Sequence, residues 1–159
     1  MNKSKLIEAV IAKLVAELKV FLNAAAASRA EATHESSKAE NKYDTRGLEA
    51  SYLARGQSRQ LVELETAITE FRNLRARAFK PADKIDVGAL VELEQGRERM
   101  FYFIGPRAGG TEVEFEEQEV LVITPQSPLG SQLMGRQQGD ALKLKLPGAQ
   151  NQYRVVAVS

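Results

Sequence analysis

VITPQSPLGSQLMGRQQGDALKLKL, residues 122–146, passes from a β-branched run through a Pro- and Gly-punctuated segment into a strict alternation. In ALKLKL, leucines and lysines change places at every step, the period-2 signature of a strand with one face buried. Just before it, Ser127 is suited to cap a short helix, with Pro128 at the first helical position and Gly135 at its end. The stretch therefore predicts strand, one turn or so of helix, then strand. On both sides lie further short runs rich in Val, Ile, Leu and Tyr, separated by Gly- or Pro-containing turns: GALVELE (88–94), RMFYFIG (99–105), EVLVIT (119–124) and QYRVVAVS (152–159). Residues 81–159 read as a small antiparallel sheet with one helical turn laid against it. Met100-Phe101-Tyr102-Phe103 falls on strand and core.

Upstream the period changes to that of a helix. Ile7, Leu14 and Phe21 form one seven-residue series and Ile11, Leu18 and Ala25 another, drawing a narrow stripe suited to packing one helix along another. The run AAAAS at 24–28 has high helix propensity and keeps the helix thin. No Gly or Pro appears until Gly47, after which Leu61, Leu64, Ile68, Phe71 and Leu74 resume the pattern until Pro81 forbids it. Two long helices joined by one short break predict an antiparallel coiled-coil hairpin, each helix roughly 45 Å long at 1.5 Å per residue. The fold class is α+β, with a hairpin over 1–80, the sheet domain over 81–159, and a boundary near 78–84.

Composition removes several classes of chemistry. There is no cysteine, so disulfides, thiolate catalysis and Cys-based zinc sites are excluded; the single histidine, His34, excludes a multi-histidine metal site. Apolar content of 43% and charged content of 27% are those of an ordinary globular chain. The net charge of +1 divides into +4 over residues 1–80 and −3 over 81–159, a mildly basic helical half. Glu8, Lys13, Glu17 and Lys19 interrupt the apolar N-terminal stretch. No run approaches membrane-spanning length, so the expectation is a cytoplasmic protein without a membrane partner.

The stretch 122–158 resembles the C-terminal domain of the bacterial Gre transcript-cleavage factors. Ser127-Pro128, Leu133, Gly135 and Gly139-Asp140 match its pattern in order and spacing, and VELEQGRERMFYFIGP (91–106) looks like the family's preceding hairpin. The resemblance implies an FKBP-like C-terminal domain that docks at the rim of the RNA polymerase secondary channel. It also implies a coiled coil that enters the channel, with acidic tip residues helping to hold a catalytic Mg²⁺ in the polymerase's own active centre. Backtracked RNA is then hydrolysed by a two-metal phosphoryl transfer. The expectation is thus an auxiliary factor rather than an enzyme, one that binds no metal alone and is a monomer when free.

The tip itself is ENKYDTRGLEASY, residues 40–52. Taken alone, Glu40 and Asp44 are like charges at i,i+4 that mildly disfavour helix, and they read as a solvated helix end. Under the resemblance they become the catalytic and metal-sharing carboxylates, Asp44 first because it lies nearer the Gly47 break, with Glu35 and Glu49 behind them. Polymerase contact falls to Ser127, Pro128, Arg46, Arg55 and Arg59; the basic second helix, with Arg72, Arg75 and Arg77, suits polymerase or nucleic-acid phosphate. The tip departs from the family pattern: the Asp-x-x-Glu spacing is missing, and Lys42 and Arg46 lie among the acids. A non-cleaving channel regulator or inhibitor is the alternative function. A prolyl isomerase and a dimerising coiled-coil scaffold are the other readings.

Overall fold

The computed structural model describes residues 1–33, 46–146 and 149–159, and their side chains except at 25, 28, 29, 31–33, 46–58, 146, 149 and 150. Two long helices come first, α1 (Lys3–Thr33) and α2 (Arg46–Asn73). A sheet domain comes next: β1 (Leu90–Gln95), β2 (Glu98–Ile104), β3 (Glu112–Phe115), β4 (Gln118–Ile123), α3 (Pro128–Leu133), β5 (Ala141–Leu146) and β6 (Ala149–Val158). By contacts the chain forms two compact units, and the division differs from a cut at residue 80. Met1–Ile11 and Thr69–Ser159 make one unit, Ala12–Ile68 the other. The first turns of α1 and the last residues of α2 thus belong with the sheet.

In the sheet unit the six strands run in the order β3-β4-β2-β1-β6-β5. The purely antiparallel sheet read from the sequence is corrected at one pairing, because β2 and β4 lie parallel, with Phe101 opposite Val120 and Phe103 opposite Val122. The cause is β3, which the sequence reading missed. After β2 the chain crosses to the far edge, runs back as β3, and a two-residue turn returns β4 into the gap beside β2. That turn places both Glu116 (φ 50°) and Glu117 (φ 60°) in the left-handed region, as a type I′ hairpin requires. The crossover is possible because residue 105 has no side chain. A Cβ on Gly105 would lie 2.8 Å from both the Phe71 ring and Val122.

The alternation of each strand sets two faces. Val91, Leu93, Ile104, Ile123, Leu142, Leu144, Tyr153 and Val155 join Leu129 and Leu133 of α3 in one apolar cluster. Each fully buried Leu, Ile or Val there is worth about 1.5–3 kcal/mol against exposure. Phe103 and Phe71 are both fully buried and pack with ring centres 6.3 Å apart. Outside, Glu92 pairs with Arg99 and Glu94 with Arg154, both at 2.6 Å. Such exposed pairs add little stability.

α2 ends at Asn73, eight residues before Pro81. Tertiary burial wins over helical pattern here: the chain leaves the helix to place Phe79 in the sheet's core cluster. Arg77 and Lys3 each lie over the Phe79 ring, 4.4 and 4.6 Å from its centre. In the other unit, Leu14, Leu61, Ala67 and Ile68 are buried, whereas Leu18 and Phe21 are only half-buried. Val20, Leu22 and Val62 are exposed.

Candidate functional site

The segment from β4 through α3 to β5 folds as its residue types dictate. Ser127 is extended (φ −66°, ψ 155°) and caps α3, its Oγ accepting from the Gly130 N–H at 3.1 Å. The same hydroxyl donates to the Thr124 carbonyl at 2.7 Å, which also accepts the Ser127 N–H at 3.0 Å. Both capacities of the hydroxyl are therefore used in building the loop, and Pro128 beside it is exposed. Gly130 makes the tight loop possible: a Cβ there would sit 1.8 Å from the Thr124 carbonyl oxygen. The pair Ser127-Pro128 is thus presented by a rigid turn, with the proline ring outermost.

The exit from α3 is equally determined. Gly135 adopts φ +79°, and the backbone exchange between Gly135, Arg136 and Ile85 (3.1 and 2.7 Å) ties the end of the helix to the segment before β1. Gly139 adopts φ +92° and donates to Val155 at 2.8 Å; the Asp140 carboxylate accepts the Gln137 N–H at 3.0 Å. The Gly-Asp pair is thereby the turn that sets β5 against β6. Sequence reasoning missed Gly130 and Gln132 in this region. A glycine in the first turn of a capped helix was the available signal for the former; for Gln132 there was none.

Near β3 the inner face of the sheet is open. Met100, Tyr102 and Leu121, half-buried against the core, line a shallow groove with Glu112, Gln118, Glu119 and Arg99. The Tyr102 hydroxyl contacts the Met100 sulfur at 3.7 Å, and burial first, Tyr153 second, raise its pKa above the usual tyrosine value. At the root of α1, the Lys3 ammonium donates to the carbonyls of Gly88 (2.9 Å) and Arg77. Burial and the neighbouring Arg77 charge lower its pKa to about 8, outweighing the two carbonyls and the Phe79 face, which favour the ammonium.

Glu40 and Asp44, with Glu35, His34 and Tyr43, lie outside the described residues. Arg46, Glu49, Tyr52 and Arg55 lie on α2, where only the backbone is described; Arg59 is on α2 and exposed. Arg72, Arg75 and Arg77 are exposed. Among the described residues no three His, Asp or Glu side chains converge as a metal site, and no helix is long and apolar enough to cross a membrane. Of the expected docking set, Ser127 and Pro128 stand at the N-terminus of α3, the serine half-buried as its cap and the proline exposed.

A family model described as transcription elongation factor GreA/GreB, C-terminal, matches residues 80–159, which contain this loop and the whole sheet. The chain belongs to the GreA/GreB family. Its GreA relatives include the transcription elongation factor GreA of Thermotoga neapolitana, 35% identical over 80 residues, which are 48% of this chain and 47% of that protein. GreA of Thioalkalivibrio sulfidiphilus is 27% identical over 102 residues, 62% of this chain and 60% of that one. The alignment with the Thermotoga protein spans about half the length of that curated relative. Among solved structures, Gfh1 of Thermus aquaticus is similar at 25% identity with a TM-score of 0.41, covering 95% of this chain and 94% of that one. GreA factor homolog 1 of Thermus thermophilus is similar at 23% identity and a TM-score of 0.39, covering 95% of each chain. In this GreA/GreB-family chain, the Ser127–Pro128 loop lies within the family match.

Proposed function

We propose that this chain is an auxiliary factor of RNA polymerase that enters the secondary channel with its two helices and stimulates hydrolysis of backtracked RNA. Family membership over residues 80–159 supports the partner. The observation that carries the reading is the Ser127–Pro128 loop: its hydroxyl is consumed by capping and its proline is left outward, so it is preformed for contact. A preformed loop loses little conformational freedom on docking. Asp44 and Glu40 are the carboxylates assigned to the polymerase centre, and Arg46, Arg55 and Arg59 the contacts along the channel or to nucleic-acid phosphate. A Mg²⁺ shared with the polymerase would activate the attacking water there. The factor acts in the cytoplasm as a monomer.

A second reading is favoured by one observation. Lys42 and Arg46 stand among the tip acids, and the Asp-x-x-Glu spacing of the family is missing. Cations so placed offset the carboxylate charge that a metal needs, which suits a factor that occupies the channel and restrains the polymerase without cleavage. RNA cleavage in a stalled, backtracked elongation complex separates the two, with wild type, Asp44→Ala and Glu40→Ala compared at matched Mg²⁺ and binding measured in parallel. Cleavage that disappears in either variant while binding persists is the expected result. Binding by wild type without cleavage establishes the second reading instead.

A further inference from the structure

We infer that Gln132 is a positioning residue that fixes the Ser127–Pro128 loop by standing in for a neighbouring strand on the open edge of β5. The inference rests on the docking role proposed above for that loop. β5 is the last strand of the sheet, so alternate N–H and C=O groups along it face away from β6. At Lys145 those two groups are taken by one side chain: the N–H donates to Gln132 Oε1 at 2.9 Å, and the carbonyl accepts from Gln132 Nε2 at 3.1 Å. This is the paired exchange that a residue on an adjacent antiparallel strand makes. The second N–H of the same Nε2 donates to the Pro128 carbonyl at 2.8 Å. A carboxamide has the two donors and the acceptor that the three contacts need. The reverse orientation would set its oxygen against two carbonyls.

The consequence reaches the loop because α3 is only six residues long. A helix of that length has no stability of its own, and its position is whatever its contacts make it. Leu129 and Leu133 seat one side in the core, and Ser127 caps the start. Gln132 alone among these joins the exposed first residue, Pro128, to the sheet edge. Without it the helix stays buried on its apolar side and tied to Thr124 through Ser127, but Pro128 loses its link to the β5 edge.

The test uses the full chain and three variants: Gln132→Ala, Gln132→Glu and Val113→Ala, the last a buried β3 residue that lowers stability without touching α3. Affinity for core RNA polymerase and hydrogen exchange at the Lys145 amide are read together. Gln132→Ala is expected to deprotect Lys145 and to weaken polymerase binding about fivefold more than Val113→Ala, the scale of one lost hydrogen bond. Gln132→Glu keeps an acceptor for the Lys145 N–H but sets its second oxygen against the Lys145 and Pro128 carbonyls, so binding is expected to fall at least as far as in Gln132→Ala. Gln132→Ala that binds as well as Val113→Ala overturns the inference, as does a Lys145 amide still protected in Gln132→Ala. A wild-type chain that does not bind polymerase overturns the proposed function itself, and the role of Gln132 with it.

Discussion

Two residues of α2, nine positions apart, show how differently the two compact units are held. Phe71 belongs to the sheet unit and is wholly buried against Phe103, with Gly105 shaped around its ring. Val62 belongs to the helical unit and is 61% exposed. Both sit in regular helix, so helix formation does not distinguish them. The difference lies in the origin of the constraint. Around Phe71 it comes from residues distant in sequence, packed to interior density. Around Val62 it comes from the local backbone ladder and a narrow stripe of neighbours. The sheet unit is therefore the half in which single atoms matter, and the helical unit the half that tolerates change.

The contrast breaks first at Phe71. Phe71→Ala is expected to cost about 4 kcal/mol in urea unfolding followed on the sheet, whereas Val62→Ala shifts stability by less than about 0.5 kcal/mol. Comparable losses from the two would dissolve the distinction between the units. Gly130→Ala comes next. Its Cβ would collide with the Thr124 carbonyl, so the β4–α3 turn must open at a cost of about 3 kcal/mol; an unchanged denaturation midpoint would mean the turn is soft.

The smallest effect is one of pH. Lys3 titrates near 8 in the folded chain and at 10.5 when unfolded. Between those values the unfolded state holds more protons, so stability should rise as pH climbs from about 8 to 10.5. Much of Lys3 is solvated, which keeps the rise shallow. Thermal unfolding of wild type against Lys3→Met across that window checks it, and the two curves should converge in slope only if Lys3 is silent.

Legibility in the sequence followed the same division. The cap at Ser127, Pro128 at the first helical position and Gly135 at the exit were all readable, because each is a local device whose residue types have one mechanical use. Five of the six strands were readable for the same reason. β3 was not, since EVEF carries two acids in four residues and its strand pairing is decided by β4 across the turn. Its alternation, exposed Glu112 and Glu114 between buried Val113 and half-buried Phe115, was the one clue. The parallel β2–β4 contact depends on that strand and was lost with it. The early end of α2 was hidden because only the folded core shows why Phe79 is worth more inside than helix beyond Asn73. Gln132 escaped, because Lys145, which takes two of its three hydrogen bonds, lies 13 residues away and meets it only in the fold.

Every open sheet must end somewhere, and this one ends in two unlike ways. On the β5 side a glutamine occupies the exposed peptide groups of Lys145. On the β3 side the strand is four residues long and carries Glu112 and Glu114, with Glu116 and Glu117 in the turn after it and Glu119 on β4, so a second copy aligned along it would bring carboxylates against carboxylates. One margin is capped at a single residue by a carboxamide, and the other is guarded by repulsion. Concentrated salt screens the charges on the β3 side and leaves the hydrogen bonds on the β5 side in place. Crowded together in concentrated salt, copies of this chain should therefore find each other through β3 first.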